Sequence, residues 1–321
     1  MKILIIGKNF ALKTHYVILK KFFPQAEFYL ASRTKSQKKN INKTTDYKKF
    51  LLKNKINIIS CCTDTITQEN FINFFTKHKI KTDYLMLEKP VSRKIHYIKK
   101  INNYCLKNKI SFNVNFSYSN MKIFEILRKN FLNKRGLNLY YKLYFKHQFF
   151  FKKNKNWKTY SKLGGGICFY YLIHVFFVLN KIFKKITLKK INYLINKKKF
   201  INKIHITFKT KGNNFVKLDI NVNSKKKIHY YKMVNNSGTV HSYELNHWNG
   251  RSRFNIVDNK INKVVKSLNF NEDINFLTRV NYKNLLLKVS LKKNPLFFRP
   301  ILNAHKLCIN INKKILKNDF K

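Results

Sequence analysis

Two short stretches of this chain hold residue types that could do chemistry together. The first is Glu88-Lys89-Pro90. A lysine ammonium can bind or stabilise a negatively charged oxygen, and the neighbouring carboxylate can hold that ammonium or a ribose hydroxyl. Pro90, one of only four prolines, stops a strand and restricts Lys89 to extended backbone. The second is Gly164-Gly165-Gly166-Ile167-Cys168-Phe169-Tyr170-Tyr171-Leu172-Ile173-His174. The chain has eight glycines and three are consecutive here, which argues for a backbone demand such as close approach to a ligand. The apolar helix expected after them carries Tyr170 and His174 four residues apart, on one face. Tyr171 points about 100° away and reads as packing. A single histidine on an apolar helix also reads as a satisfied core residue; the glycine run before it favours a functional one.

Two further places bear on a bound ligand. The first apolar run, Lys2 to Gly7, is followed by Lys8-Asn9-Phe10-Ala11-Leu12. A dinucleotide fingerprint wants glycine where Asn9 and Leu12 stand, so Gly7, Asn9, Phe10 and Ala11 make a partial match. Asn tolerates positive φ; Leu12 departs further, because a glycine there lets helix and strand lie close. The same residues also read as an ordinary strand-to-helix turn. The second apolar run ends Ala31-Ser32-Arg33 with no acid. A small hydroxyl followed by arginine suits a 2′-phosphate, so Ser32 and Arg33 favour NADP over NAD, with NAD the alternative.

The elements that must position these residues change character along the chain. Short apolar runs at 2–7, 27–31, 56–62, 83–87 and 110–114 are separated by helix-length segments such as 67–78 and 94–107. That pattern implies a parallel sheet covered on both faces, a Rossmann-type half over residues 1–118. Lys89 then projects from the carboxyl edge of the sheet, where ligands bind in such folds. From 119 to 321 the pattern becomes α+β. Val216, Leu218, Ile220 and Val222 alternate with polar residues, as do Ile204, Ile206 and Phe208. Period-two alternation predicts a mainly antiparallel sheet with one wet face. Helices are expected at about 165–181 and 300–317, and solvated loops in the Lys/Asn-rich stretches 34–44 and 152–158.

Composition sets the bounds. The 321 residues carry 68 Lys+Arg against 13 Asp+Glu, a formal charge of +55. With 44% hydrophobic residues this is not a disordered polycation. The lysines are spread along the whole chain and accompany excess Asn, Ile, Phe and Tyr, the set favoured by AT-rich codons, so no specific nucleic-acid partner is expected. Five cysteines without a CxxC argue against a disulfide framework or zinc site. No apolar run reaches about 18 residues, and the N-terminal run is too short for a signal peptide, so no membrane insertion and a cytoplasmic location are expected.

Together these landmarks resemble the glucose-fructose oxidoreductase and inositol dehydrogenase (Gfo/Idh/MocA) superfamily. The resemblance runs over nearly the whole chain: Gly7 and His15 in the first turn, Ser32-Arg33, Cys62-Thr63 where members often have Thr-Pro, Glu88-Lys89-Pro90 in full, Trp157-Lys158, Gly164 to His174, and the closing stretch 294–311. It implies an N-terminal Rossmann domain, a C-terminal domain with a large open sheet, and hydride transfer between NAD(P) and a hydroxyl or keto group of a sugar, cyclitol or nucleotide-sugar. It also implies pairing of subunits through the open sheet face, read here as an apolar surface. By resemblance the cofactor residues are Gly7, Asn9, Phe10, Ala11, Ser32, Arg33, Cys62, Thr63, Glu88 and Lys89. The catalytic residues are Lys89 as the central polar group, His174 as proton acceptor and Tyr170. Tyr170 stands where most members carry an aspartate, and no acid lies between Glu125 and Asp219 to replace it. Tyr170 could serve as a donor, its phenol acidified by a nearby ammonium. A family member that has lost catalysis and acts as a binding or scaffold protein is the competing expectation.

Overall fold

The computed structural model describes residues 1–32, 41–131, 136–146, 157–160, 163–183, 185–195, 201–210, 214–234, 239–246, 251–258, 263–287 and 295–319. The chain forms two compact units. One comprises Met1–Asn120, Lys162–Gly164 and Ile274–Lys321; the other comprises Met121–Ser161 and Gly165–Asp273.

The first unit holds six parallel strands, β1 (Lys2–Ile6), β2 (Glu27–Ala31), β3 (Asn42–Thr44), β4 (Ile58–Cys61), β5 (Tyr84–Leu87) and β6 (Ser111–Val114). Their order is β3-β2-β1-β4-β5-β6, so the direction of winding reverses between β1 and β4. Strands β1, β4, β5 and β6 are almost wholly buried, which is why they read as continuous apolar runs. The helices are α1 (Val17–Phe22), α2 (Tyr47–Lys53), α3 (Thr65–Lys77) and α4 (Ile95–Lys107). Asp64 caps α3 by accepting from the Thr67 N–H at 2.9 Å. The helix then buries Thr65, Gln68, Glu69, Phe71, Ile72 and Phe75, a face with helical spacing. Of the stretches expected as solvated loops, 34–40 and 152–156 lie outside the described residues, while Asn42–Thr44 form β3. Its three residues are polar, and only the edge position beside β2 makes them a strand.

The second unit holds α5 (Lys122–Phe131), β7 (Asn138–Lys146), α6 (Ile173–Ile182), β8 (Ile186–Ile195), β9 (Ile201–Thr210), β10 (Phe215–Asn221), β11 (Asn223–Val234), β12 (Thr239–Asn246), β13 (Arg251–Asp258) and β14 (Lys263–Asn271). The eight strands form one sheet in the order β14-β13-β12-β11-β7-β10-β9-β8, antiparallel except for β7 with β10. Helix α6 is buried from Ile173 to Leu179, and its Phe176 meets Phe208 of the sheet edge-on at 5.8 Å. The opposite face is not the apolar surface expected. Its positions on β7 include Tyr140, Lys142 and Tyr144, and on β10 Lys217 and Asp219 beside the exposed Phe215. Lysine ammoniums lie over the tyrosine rings there, Lys142 over Tyr144 at 4.7 Å and Lys217 over Tyr140 at 5.4 Å.

The expected single boundary at 118 also needs correction. The first crossing falls at 120, but α7 (Ile274–Leu286) and α8 (Pro295–Asp319) return to the first unit. Tyr282 and Leu285 of α7 are fully buried in one core with Ile3, Ile5, Phe28, Leu30, Ile58 and Met86. Burying Leu285 contributes about 2 kcal/mol, and Leu277, Thr278, Asn281 and Tyr282 are buried on the same helix. Among the described residues no helix is long and apolar enough to cross a membrane.

Candidate functional site

In the first unit the candidate residues converge on the carboxyl ends of β1, β4 and β5. Gly7 follows β1 with φ +134°, and a Cβ there would stand 2.4 Å from the Cys62 carbonyl oxygen and 3.3 Å from Ala11 Cβ. Only glycine fits a turn so placed between β1 and β4. Asn9 does not take positive φ; it lies in the first helical turn. The special backbone conformation therefore falls on Gly7 alone. Ala11, fully buried against it, supplies the small side chain that lets helix and strand approach. The N–H groups of Asn9, Phe10 and Ala11 precede the first helical hydrogen bond, Leu12 N–H to the Lys8 carbonyl at 2.8 Å. They have no partner within the helix and form a favourable place for a phosphate. Phe10 is exposed beside them.

Residues 11–16 form a π-helical turn before α1. This turn carries His15, completely buried, into the middle of the strand ends. His15 Nε2 donates to Glu88 Oε1 at 2.9 Å. Its Nδ1 lies 2.7 Å from the Tyr282 hydroxyl and 3.0 Å from Ser60 Oγ. Burial raises the Tyr282 phenol well above its ordinary range, so it remains a donor. The assignment that satisfies every group has Ser60 donating to Tyr282 (2.7 Å), Tyr282 donating to Nδ1, and the His15 proton on Nε2. Asn115 Nδ2 also donates to Glu88 Oε1. Glu88 Oε1 thus accepts from both His15 and Asn115, which fixes the carboxylate beside Lys89. Cys62 joins the edge of this group through Ser60 Oγ at 3.3 Å, and burial pushes its thiol well above the ordinary range. Thr63 bonds back locally to the Asp64 carbonyl.

Lys89 is half-buried immediately after β5, and the Lys89–Pro90 peptide is cis. Ser32 begins the segment beyond β2, its N–H donating to the Thr44 carbonyl at 3.2 Å. Arg33 lies outside the described residues.

Tyr170 and His174 belong to the second unit. Residues 168–172 form a π-helical turn that runs straight into α6, so both candidate helices open with the wider turn often found at functional sites. Tyr170 is half-buried and His174 is 7% exposed. The ammonium over the Tyr170 ring is that of Lys158, at 5.5 Å. It comes from the short Trp157–Thr159 turn, and burial holds its pKa below the ordinary lysine value. The glycine run has a reason other than ligand approach. Gly164 has φ +81°, and a Cβ there would come within 2.5 Å of Thr65 Oγ1, in its own unit. The chain passes to the second unit at Gly165, and Gly166 has φ +72°.

Sequence reasoning singled out neither Gln68 nor His305. Both are fully buried against the segment that carries Lys89. Their bonds span 20–22 and 214 residues, so no local pattern marks them. Among the described residues no cluster of three or more His, Cys, Asp or Glu side chains could hold a metal ion.

No protein-family model matches the sequence, and no curated protein is similar enough to match. Solved structures match in fold. KijD10, a 3-ketoreductase from Actinomadura kijaniata in complex with NADP and TDP-benzene, matches with a TM-score of 0.76 at 9% identity, over 96% of this chain and 95% of that one. A Gfo/Idh/MocA family oxidoreductase from Vibrio cholerae matches with a TM-score of 0.71 at 13% identity, over 100% of both chains. Gal80p, a transcriptional regulator from Kluyveromyces lactis, matches with a TM-score of 0.74 at 11% identity, over 99% of this chain and 92% of that one. The chain therefore has, along its whole length, the fold of the superfamily that its Glu-Lys-Pro and triple-glycine motifs resemble.

Proposed function

We propose that this chain is an NADP-dependent oxidoreductase that moves hydride between the nicotinamide and a hydroxyl or keto carbon of a sugar, cyclitol or nucleotide-sugar. The observation that carries the reading is the placement of Lys89. It stands at the carboxyl end of β5, one strand from the point where the sheet order reverses, in a segment anchored by Glu88 to His15 and Asn115. The shared fold of KijD10, solved with NADP and TDP-benzene, supports it.

The residues fit such a cofactor. The glycine-only turn at Gly7 and the N–H groups of Asn9, Phe10 and Ala11 suit its pyrophosphate. Ser32 and Arg33, with no acid beside them, suit a 2′-phosphate. When bound, the nicotinamide accepts or supplies the hydride. Lys89 stabilises the negative charge that develops on the substrate oxygen. His174 and Tyr170 are the proposed proton-handling residues of the second unit; an imidazole, with a reference pKa near 6.5, suits proton transfer close to neutral pH.

The test is NADPH oxidation with a panel of free and nucleotide-linked keto-sugars, with Lys89→Ala as control. Turnover with at least one substrate, lost in the variant, is the expected result. The departure at Tyr170 favours a second reading, a binding or scaffold protein without catalysis. Gal80p, a transcriptional regulator with this fold, keeps that reading in view. Cofactor binding with no turnover on any substrate, identical in the wild type and Lys89→Ala, would favour it.

A further inference from the structure

The backbone around Lys89 is held by side chains from two distant elements. Gln68 of α3 bridges the turn: its Oε1 accepts from the Glu88 N–H at 3.0 Å and its Nε2 donates to the Pro90 carbonyl at 3.0 Å. His305 of α8 closes the far side. Its Nδ1–H donates to the Ile301 carbonyl at 2.8 Å, which leaves Nε2 to accept from the Val91 N–H at 3.1 Å. The Glu88 side chain is fixed in turn by His15, whose other nitrogen meets Tyr282 of α7. Every one of these partners is buried, and the atoms they grip flank Lys89 on both sides in sequence. Glu88, Pro90 and Val91 are buried, so their backbone groups need partners, and Gln68 and His305 supply them from α3 and α8, one on each side of Lys89.

We propose that Gln68, His305 and, through His15, Tyr282 are positioning residues that hold Lys89 in its working orientation. The C-terminal return of the chain then serves the site by bracing β5's exit, although neither α7 nor α8 supplies a reacting group. The inference rests on the role given to Lys89 above, and it deepens that role. Preorganisation of this kind matters because a displacement of about 1 Å in a charged group can cost on the order of 10²-fold in rate.

The test follows the Lys89 amine directly. Lysines are reductively methylated with ¹³C-formaldehyde, and the Lys89 resonance is identified by its loss in Lys89→Arg. Its chemical shift and titration midpoint are measured in His305→Leu, His305→Gln and Gln68→Met, alongside NADPH affinity and the urea midpoint. His305→Leu and Gln68→Met should move the Lys89 titration by about half a pH unit or more and weaken NADPH about tenfold. His305→Gln keeps an acceptor for the Val91 N–H and should restore both. Should either of the first two fail to fold, Tyr282→Phe carries the same test, since it removes one hydroxyl and keeps the ring's packing. Folded variants with lowered urea midpoints and an unmoved Lys89 resonance would overturn the proposal and make the network merely structural. A wild type that ignores NADPH while the Lys89 resonance still responds would leave the positioning role standing and remove the cofactor reading instead.

Discussion

Lys89 and its supports make the sharpest predictions at the scale of single residues. Lys89→Ala at this half-buried position should cost about 1 kcal/mol of stability. Turnover on the best substrate of the panel should fall by on the order of 10²–10³. Arg33→Ala should weaken NADPH at least about tenfold while sparing NADH, because a charge-assisted phosphate bond is worth about 1.5–3 kcal/mol. Equal losses for the two cofactors would refute the 2′-phosphate reading. His305 gives a pH dependence with a definite sign. Burial lowers its folded pKa to about 4, against 6.5 for the free side chain. The unfolded chain therefore binds the extra proton first, and stability falls as pH drops from about 6.5 toward 4. Between pH 7 and pH 5 this group should cost on the order of 2 kcal/mol, measured by urea unfolding. The loss should shrink in His305→Gln, and an unchanged pH dependence in that variant would contradict the assignment.

At the scale of elements, what could be read from the sequence depended on how local the cause was. Strands β9 and β10 were legible because Ile204-Ile206-Phe208 and Val216-Leu218-Ile220 alternate with polar residues, and that alternation is the burial itself. The exit of β5 was legible because Pro90 ends it. Strand β3 was not, since Asn42-Lys43-Thr44 carries no apolar signal and forms only by pairing with β2. The return of α7 was not legible either: an amphipathic helix shows that it has a buried face, and nothing local says which unit receives it. The glycine run was visible, but its cause was not. Gly164 is required by Thr65, 99 residues earlier, and the close approach is to that side chain. Gly164→Ala combines a close clash with a left-handed backbone, so it should destabilise the first unit by roughly 1–3 kcal/mol in thermal or urea unfolding. A change below about 0.5 kcal/mol would show that Thr65 yields easily.

At the scale of the whole molecule, the charge of +55 and the wet face of the second unit bear on self-association. A dimer paired through this face, as the family resemblance implies, would be conditional on its composition. Two copies of a surface bearing Lys142 and Lys217 among Tyr140 and Tyr144 repel at low ionic strength and approach when salt screens them. Sedimentation should show dimer increasing with salt at micromolar concentration; a strict monomer at every salt would contradict it. The central claim, that the strand ends of the first unit form an NADP site, is open to a simpler measurement. Nicotinamide fluorescence is titrated with NADPH and NADH separately, with Gly7→Ala as control. The account predicts saturable NADPH binding, at least about tenfold weaker NADH binding, and loss of both in the variant, whose Cβ has no room beside the Cys62 carbonyl. Tight NADH binding without NADPH binding, or binding of neither by the folded wild type, would contradict it.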